Sequence, residues 1–194
     1  TSMLAKSSPG FAATIYTAPL SWIIMLAPLG MVFLFAAKVN SMAASTARVV
    51  FWIFAALMGL SLSSIFLVYT GESVVRVFFI TSAAFAALSL YGYTTKKDLS
   101  GMGSFLIMGL FGIIIASVVN IFLASSAMQF AISVIGVLIF AGLTAYDTQN
   151  IKAMYMESDG EEVSDRKSIM GALKLYLDFL NMFLFLLQLL GNRE

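Results

Sequence analysis

Long apolar runs alternate with short polar breaks along the 194-residue chain. They cover about residues 20–37, 49–69, 74–93, 103–124, 127–146 and 169–190. Each is close to the roughly 20 residues that cross a bilayer core as an α-helix. Polar residues do not recur at every second position within the runs, which excludes the alternating strands of a membrane β-barrel. The pattern predicts an all-α integral membrane protein, a multi-span helical bundle with six visible spans. Residues 1–19, broken by Pro9, Gly10 and Pro19, read as an N-terminal segment, and residues 20–194 as a single transmembrane helical domain.

Composition agrees with this pattern. Hydrophobic residues make up 60% of the chain and charged residues 11%, whereas soluble domains carry about 25% charged residues. With Cys 0 and His 0, thiolate and imidazole metal sites, thiol nucleophiles and Ser-His-Asp triads are excluded. The net charge of +1 offers no basic footprint for nucleic acid. No charged n-region precedes an apolar signal core in residues 1–10.

Loop charges predict an orientation. Loops one, three and five, counted from the run at 20–37, hold Lys38, Arg48, Lys96, Lys97, Lys152, Arg166 and Lys167. The other side holds Lys6, Arg76 and Arg193. Positive-inside topology places loops one, three and five in the cytoplasm and both termini outside. A start outside without a signal suggests that an earlier span is missing. The polar stretch 148–167 contains Glu157, Asp159, Glu161, Glu162 and Asp165. It lacks the ligand order of a calcium-binding loop and reads as a solvated loop. Thr95 to Ser100 reads as a cytoplasmic turn, with Asp98 or Ser100 capping the next helix. Ala83 and Ala87 read as small residues that let helices approach.

Two acids are expensive. Asp147 ends the fifth run, and Asp178 lies inside the sixth. A mid-helix aspartate costs roughly 2.5–3.5 kcal/mol on insertion scales, which makes it a functional candidate. Lys174 can extend to the cytoplasmic interface, and Asp178 lies one turn deeper. Both acids therefore fall at similar depth on consecutive helices. One reading brings the carboxylates together to share a proton or bind a divalent cation. The other, of equal weight, leaves Asp147 as a helix-end residue and pairs Asp178 with Lys174 at i, i+4.

Three ordered segments carry a resemblance. They are Ser89-Leu90-Tyr91-Gly92-Tyr93-Thr94-Thr95-Lys96-Lys97-Asp98-Leu99-Ser100, Gly142-Leu143-Thr144-Ala145-Tyr146-Asp147-Thr148-Gln149 and Leu175-Tyr176-Leu177-Asp178-Phe179-Leu180-Asn181. From about Pro19 to Arg193 the chain resembles the transmembrane Bax inhibitor motif family, in particular its YccA-like bacterial branch. The resemblance implies a seven-helix fold with the last helix central, so residues 1–19 become the remnant of a lost first helix. It also implies a multi-pass protein of the bacterial inner membrane acting as a pH-sensitive calcium-permeable leak channel. Asp147 and Asp178 match the family's paired-aspartate proton and cation sensor, and Lys38 is the nearest match to its basic counter-charge. The family's second acid–base latch has no counterpart, because residues 20–37 hold no acid and Gln188 stands in place of the basic partner.

The expected partners are membrane lipid, calcium and protons. No resident cofactor is expected, with calcium as the metal at Asp147 and Asp178. The alternative is an interaction protein that modulates a membrane-bound ATP-dependent protease, docking through the acidic loop 157–165. An enzyme is not expected: Leu175-Tyr176-Leu177-Asp178 lacks the Gly-x-Gly-Asp of intramembrane aspartyl proteases.

Overall fold

The computed structural model describes residues 38, 42–155 and 159–192. Nearly all of them are helical. The helices are α1 (Ala44–Leu62), α2 (Ile65–Val68), α3 (Gly71–Thr94), α4 (Ser100–Leu123), α5 (Ser126–Met154) and α6 (Glu161–Leu190). Five stretches among the described residues are long and apolar enough to cross a membrane, α1 and α2 forming one of them. The expected span 20–37 and the segment 1–19 lie outside the described residues.

The helices outrun the apolar stretches that predict them. α1 begins at Ala44 rather than 49, α5 continues to Met154 rather than 146, and α6 begins at Glu161 rather than 169. Hydropathy marks the lipid-facing length alone. A helix keeps its backbone hydrogen bonds where it leaves lipid, so polar turns extend it. Glu161 and Glu162 therefore stand in the first turn of α6, where carboxylates oppose the positive end of the helix dipole. They are not part of a solvated loop.

The chain divides into two compact units. The first, among described residues, comprises residue 38, residues 42–71 and residues 159–170. Its long span is interrupted at Ser63 and Ser64, whose hydroxyls donate to the carbonyls of Leu60 (2.6 Å) and Ser61 (3.0 Å). Such local bonds compete with the helix ladder. Arg48 pairs with Asp165 at 3.0 Å, Lys167 pairs with Asp159 at 2.6 Å, and the Arg166 guanidinium donates to the Met42 carbonyl at 3.4 Å.

The second unit, residues 72–155 and 171–192 among the described residues, holds α3, α4, α5 and most of α6. Its core joins Leu106 and Ile113 of α4, Ile139, Phe140 and Leu143 of α5, and Met182 of α6. α4 and α5 form an antiparallel hairpin. A Cβ at Gly103 would run into the Tyr146 ring, one at Gly109 would meet Ile139, and one at Gly142 would meet Leu106. The link is two residues long. Ala124 takes the left-handed conformation (φ 48°) and donates to Asn120 O at 2.8 Å. Ser125 caps α5 by accepting from Met128 N at 3.3 Å. α6 packs against both α3 and α5. Phe78 meets Phe179 edge-on at 5.7 Å, Phe85 meets Phe179 at 5.4 Å, and Phe140 stacks on Phe185 at 6.0 Å. α4 turns Phe105, Met108, Phe111, Ile115 and Phe122 outward, as lipid contact requires. Ala83 and Ala87 also lie on exposed positions of α3, and Gly92 is the residue of that helix where backbones approach.

Candidate functional site

The three motif segments converge at one end of the second unit. Gly92 of α3 lies against the backbone of Ala145 on α5, where a Cβ would collide with the Ala145 carbonyl. That contact holds α3 and α5 in close approach. The polar extension of α5 then grips the turn between α3 and α4. Gln149 accepts from Leu99 N at 2.9 Å and donates to Lys97 O at 2.8 Å. Lys152 donates to Tyr93 O at 2.8 Å and stands 4.3 Å from the centroid of the same ring. Asp98 accepts from Ser100 N at 2.9 Å. The N-cap of α4 is Leu99, without a side-chain cap, so Asp98 serves the helix start from one position earlier, on the first helical amide, and Ser100 is that first residue.

Helical spacing places the acids. Phe140, Thr144 and Asp147 follow at i, i+4 and i+7 on α5, and all three are buried. The Thr144 hydroxyl donates to Phe140 O at 2.7 Å, and that of Thr148 to Thr144 O at 2.7 Å. On α6, Gly171, Lys174 and Asp178 follow at i, i+3 and i+7. A Cβ at Gly171 would come within 3.1 Å of Ile151, so the missing side chain draws this end of α6 onto α5.

The seam between α5 and α6 brings Asp147 and Asp178 within hydrogen-bonding reach of each other, and the Lys174 charge acts on both. Lys174 Nζ lies 3.4 Å from Asp147 Oδ1. Thus Lys174 binds Asp147 across the seam instead of joining Asp178 along its own helix. Asp178 is 5% exposed, and its Oδ2 is buried with no hydrogen-bond partner. Two ionised carboxylates present only acceptors, so they bond to one another only when one is protonated. Without that proton, Asp178 Oδ2 is a buried acceptor lacking a donor, a costly state that a proton or cation relieves. Lys38 belongs to the first unit, where its side chain is exposed.

Several contributing residues were not singled out by sequence reasoning. Gly92, Gln149 and Lys152 hold the α3–α4 turn onto α5. The one available signal was that Gly92 and Gln149 lie within the motif segments. Among the described residues, no group of three or more acidic side chains is placed to hold a metal ion. The opposite end of the α5–α6 seam is neutral. There Gln188 Oε1 accepts from Gln129 Nε2 (2.5 Å) and Ser133 Oγ (2.9 Å), and Asn120 Nδ2 donates to Gln129 Oε1 (3.1 Å).

Comparison with known proteins matches the family model described as inhibitor of apoptosis-promoting Bax1 over residues 2–194. The chain is 48% identical over 173 residues to the inner membrane protein YbhL of Escherichia coli K12, covering 88% of this chain and 74% of that relative. It is 54% identical over 172 residues to the Rickettsia prowazekii protein RP147, covering 89% and 73%. A membrane protein of Streptococcus pyogenes is 42% identical over 145 residues, covering 75% and 63%. With its apolar helices, its outward-facing apolar surface and this match along its length, the chain is an integral membrane protein of the Bax inhibitor family.

Proposed function

We propose that the chain is a pH-sensitive, calcium-permeable leak channel of the bacterial inner membrane, with Asp147 and Asp178 as its proton and cation sensor. The observation that carries this reading is the pair itself: two carboxyl groups in reach of one another inside a membrane bundle, one with a buried oxygen lacking a donor. At low pH a shared proton satisfies both groups. At higher pH the deprotonated pair is a hard oxygen site that attracts a divalent cation. Two carboxylates supply at most four oxygens, so water and backbone carbonyls complete the shell of a transported calcium ion, which takes about six to eight. Lys174 neutralises part of the charge and holds Asp147 in place. Lys38 is proposed as the counter-charge that favours the closed state. The YbhL name supports an inner-membrane location, and the reading requires neither a catalytic residue nor a resident cofactor.

The test is calcium flux into proteoliposomes over a pH series. Asp178→Asn flattens the pH dependence, Asp147→Asn does the same, and the double variant adds little because coupled groups act as one unit. Lys38→Ala raises resting flux at neutral pH. Unchanged pH dependence in both aspartate variants refutes the sensor. It would favour a modulator of a membrane-bound ATP-dependent protease, which the exposed Glu161 and Glu162 would serve as docking charges.

A further inference from the structure

Among the described residues, two buried side-chain oxygens lack a hydrogen-bond partner: Asp178 Oδ2 and Ser89 Oγ. They sit on different helices, and helix register places them together. α3 runs antiparallel to α6. Ser73 accepts from Asn192 N, the Arg76 guanidinium donates to Leu190 O, and Phe85 packs on Phe179. Continuing one turn along α3 from Phe85 while stepping one turn back along α6 from Phe179 sets Ser89 within one turn of the level of Asp178.

The facing is equally constrained. Phe85, four residues before Ser89, faces α6, while Gly92, three residues after it, faces α5. Ser89 thus belongs to the stripe of α3 directed at the α5–α6 seam, where Asp147 and Asp178 meet. Side chains lean toward the N-terminus of their own helix. On antiparallel helices, Ser89 and Asp178 therefore lean toward one another.

Three other hydroxyls of α3 behave differently. Thr81, Ser82 and Thr94 each return their hydroxyl to the carbonyl four residues back, at 2.8, 2.8 and 2.7 Å. Ser89 does not, although Phe85 O stands four residues back and the same bond would satisfy it. One orphan can donate and the other can accept. A hydroxyl-to-carboxylate bond, direct or through one water, satisfies both.

We infer that Ser89 is a third side chain of the Asp147–Asp178 site, a positioning residue whose hydroxyl donates to Asp178 Oδ2. This rests on the sensor reading for its biological meaning but is testable without it. The charged groups acting on Asp178 are Asp147 of α5 and Lys174 of α6. α3 has no Asp, Glu, Lys or Arg between Arg76 and Lys96, and its titratable groups there are Tyr91 and Tyr93. α4 carries no charged residue.

The experiment is an infrared titration of the full chain in liposomes, following the carboxyl C=O band that disappears in Asp178→Asn. Ser89→Ala removes a bond that favours the charged form. The titration midpoint should move up by about half to one pH unit, roughly three- to tenfold in proton affinity. Ser89→Thr keeps the hydroxyl and the original midpoint. Ser89→Cys, a weaker donor, gives an intermediate shift and serves if the alanine variant does not fold. Ser82→Ala, which removes a back-bonded hydroxyl, leaves the midpoint in place. A midpoint in Ser89→Ala or Ser89→Cys equal to that of the unmodified protein overturns the assignment. Failure of the sensor reading has a different signature: flux insensitive to pH while the infrared midpoint still responds to Ser89.

Discussion

Replacing Gly92 by alanine adds one methyl group where α3 and α5 leave no room for it. A Cβ at this position would collide with the Ala145 carbonyl oxygen and lie 2.9 Å from both its carbonyl carbon and its Cα. All three are backbone atoms, so no rotamer change relieves the contact, and the helices must separate by about 1 Å to reach ordinary van der Waals spacing. Overpacking of this kind costs about 1–3 kcal/mol. The same movement stretches the bonds from Gln149 to Leu99 and Lys97, now 2.9 and 2.8 Å, at about 1 kcal/mol each. Against this stands the better helix propensity of alanine, worth about 0.5–1 kcal/mol. The net expectation is a loss of about 2–4 kcal/mol.

Gly112→Ala is the matched control. A Cβ there meets nothing within 4 Å, so only the propensity gain remains. Thermal unfolding of both variants in detergent micelles should move in opposite directions. A gap of about 3 kcal/mol corresponds to roughly 6–12 °C for a chain of this size. Because Ala145 lies two residues before Asp147, Gly92→Ala should also disturb the aspartate pair. Equal melting temperatures for the two variants would refute the claim that Gly92 sets the α3–α5 approach.

Other outcomes follow from the same geometry. Gln149→Met removes both bonds to the α3–α4 turn, and hydrogen exchange at the Leu99 amide should accelerate by about tenfold, the equivalent of roughly 1.4 kcal/mol. Ala124→Gly relieves a left-handed residue bearing a Cβ and should stabilise the hairpin by up to about 1 kcal/mol, read from the melting temperature. Side-chain and backbone hydrogen bonds from Ser100 hold the Asp98 carboxyl below its usual range. Its support for the turn is therefore full above the ordinary aspartate value of about 3.9 and is lost as pH falls through the lower native value. The protection factor of the Ser100 amide, followed through that window, should fall at the lower pH and stay constant there in Asp98→Ala. Glu162→Cys in this cysteine-free chain should resist an impermeant reagent added outside sealed cells, and efficient labelling would invert the topology.

The spans were legible in the sequence because lipid admits few backbone solutions, and a run of about 20 apolar residues is then a helix. Their ends were not. Thr148, Gln149 and Lys152 are polar yet helical, because the Thr148 hydroxyl returns to the Thr144 carbonyl of its own helix and the other two side chains bond to the end of α3 and the turn after it. Asp147 and Asp178 stood out by their insertion cost. Whether they meet depends on how α5 and α6 are rotated against one another, a question settled by contacts such as Gly171 on Ile151 that leave no periodic trace. The same rotation decides the partner of Lys174. Spacing along α6 favours Asp178, but the seam offers Asp147 at 3.4 Å.

The hairpin of α4 and α5 also bears on how the chain enters the bilayer. Two linking residues reach at most about 7 Å, so the two helices cannot leave a translocation pore by separate routes. α5 alone carries Gln129, Asp147, Gln149 and Lys152 into the membrane zone, whereas α4 has no charged residue and exposes its large apolar side chains. Partitioned as a pair, the surplus hydrophobicity of α4 offsets the polar load of α5. Asp147 can thus reach its depth during synthesis, before α6 exists to receive it. If the two helices partition as a pair, a polar substitution on the lipid face of α4 should lower the yield of inserted protein without touching the aspartate pair, whose contacts lie on the α5–α6 seam.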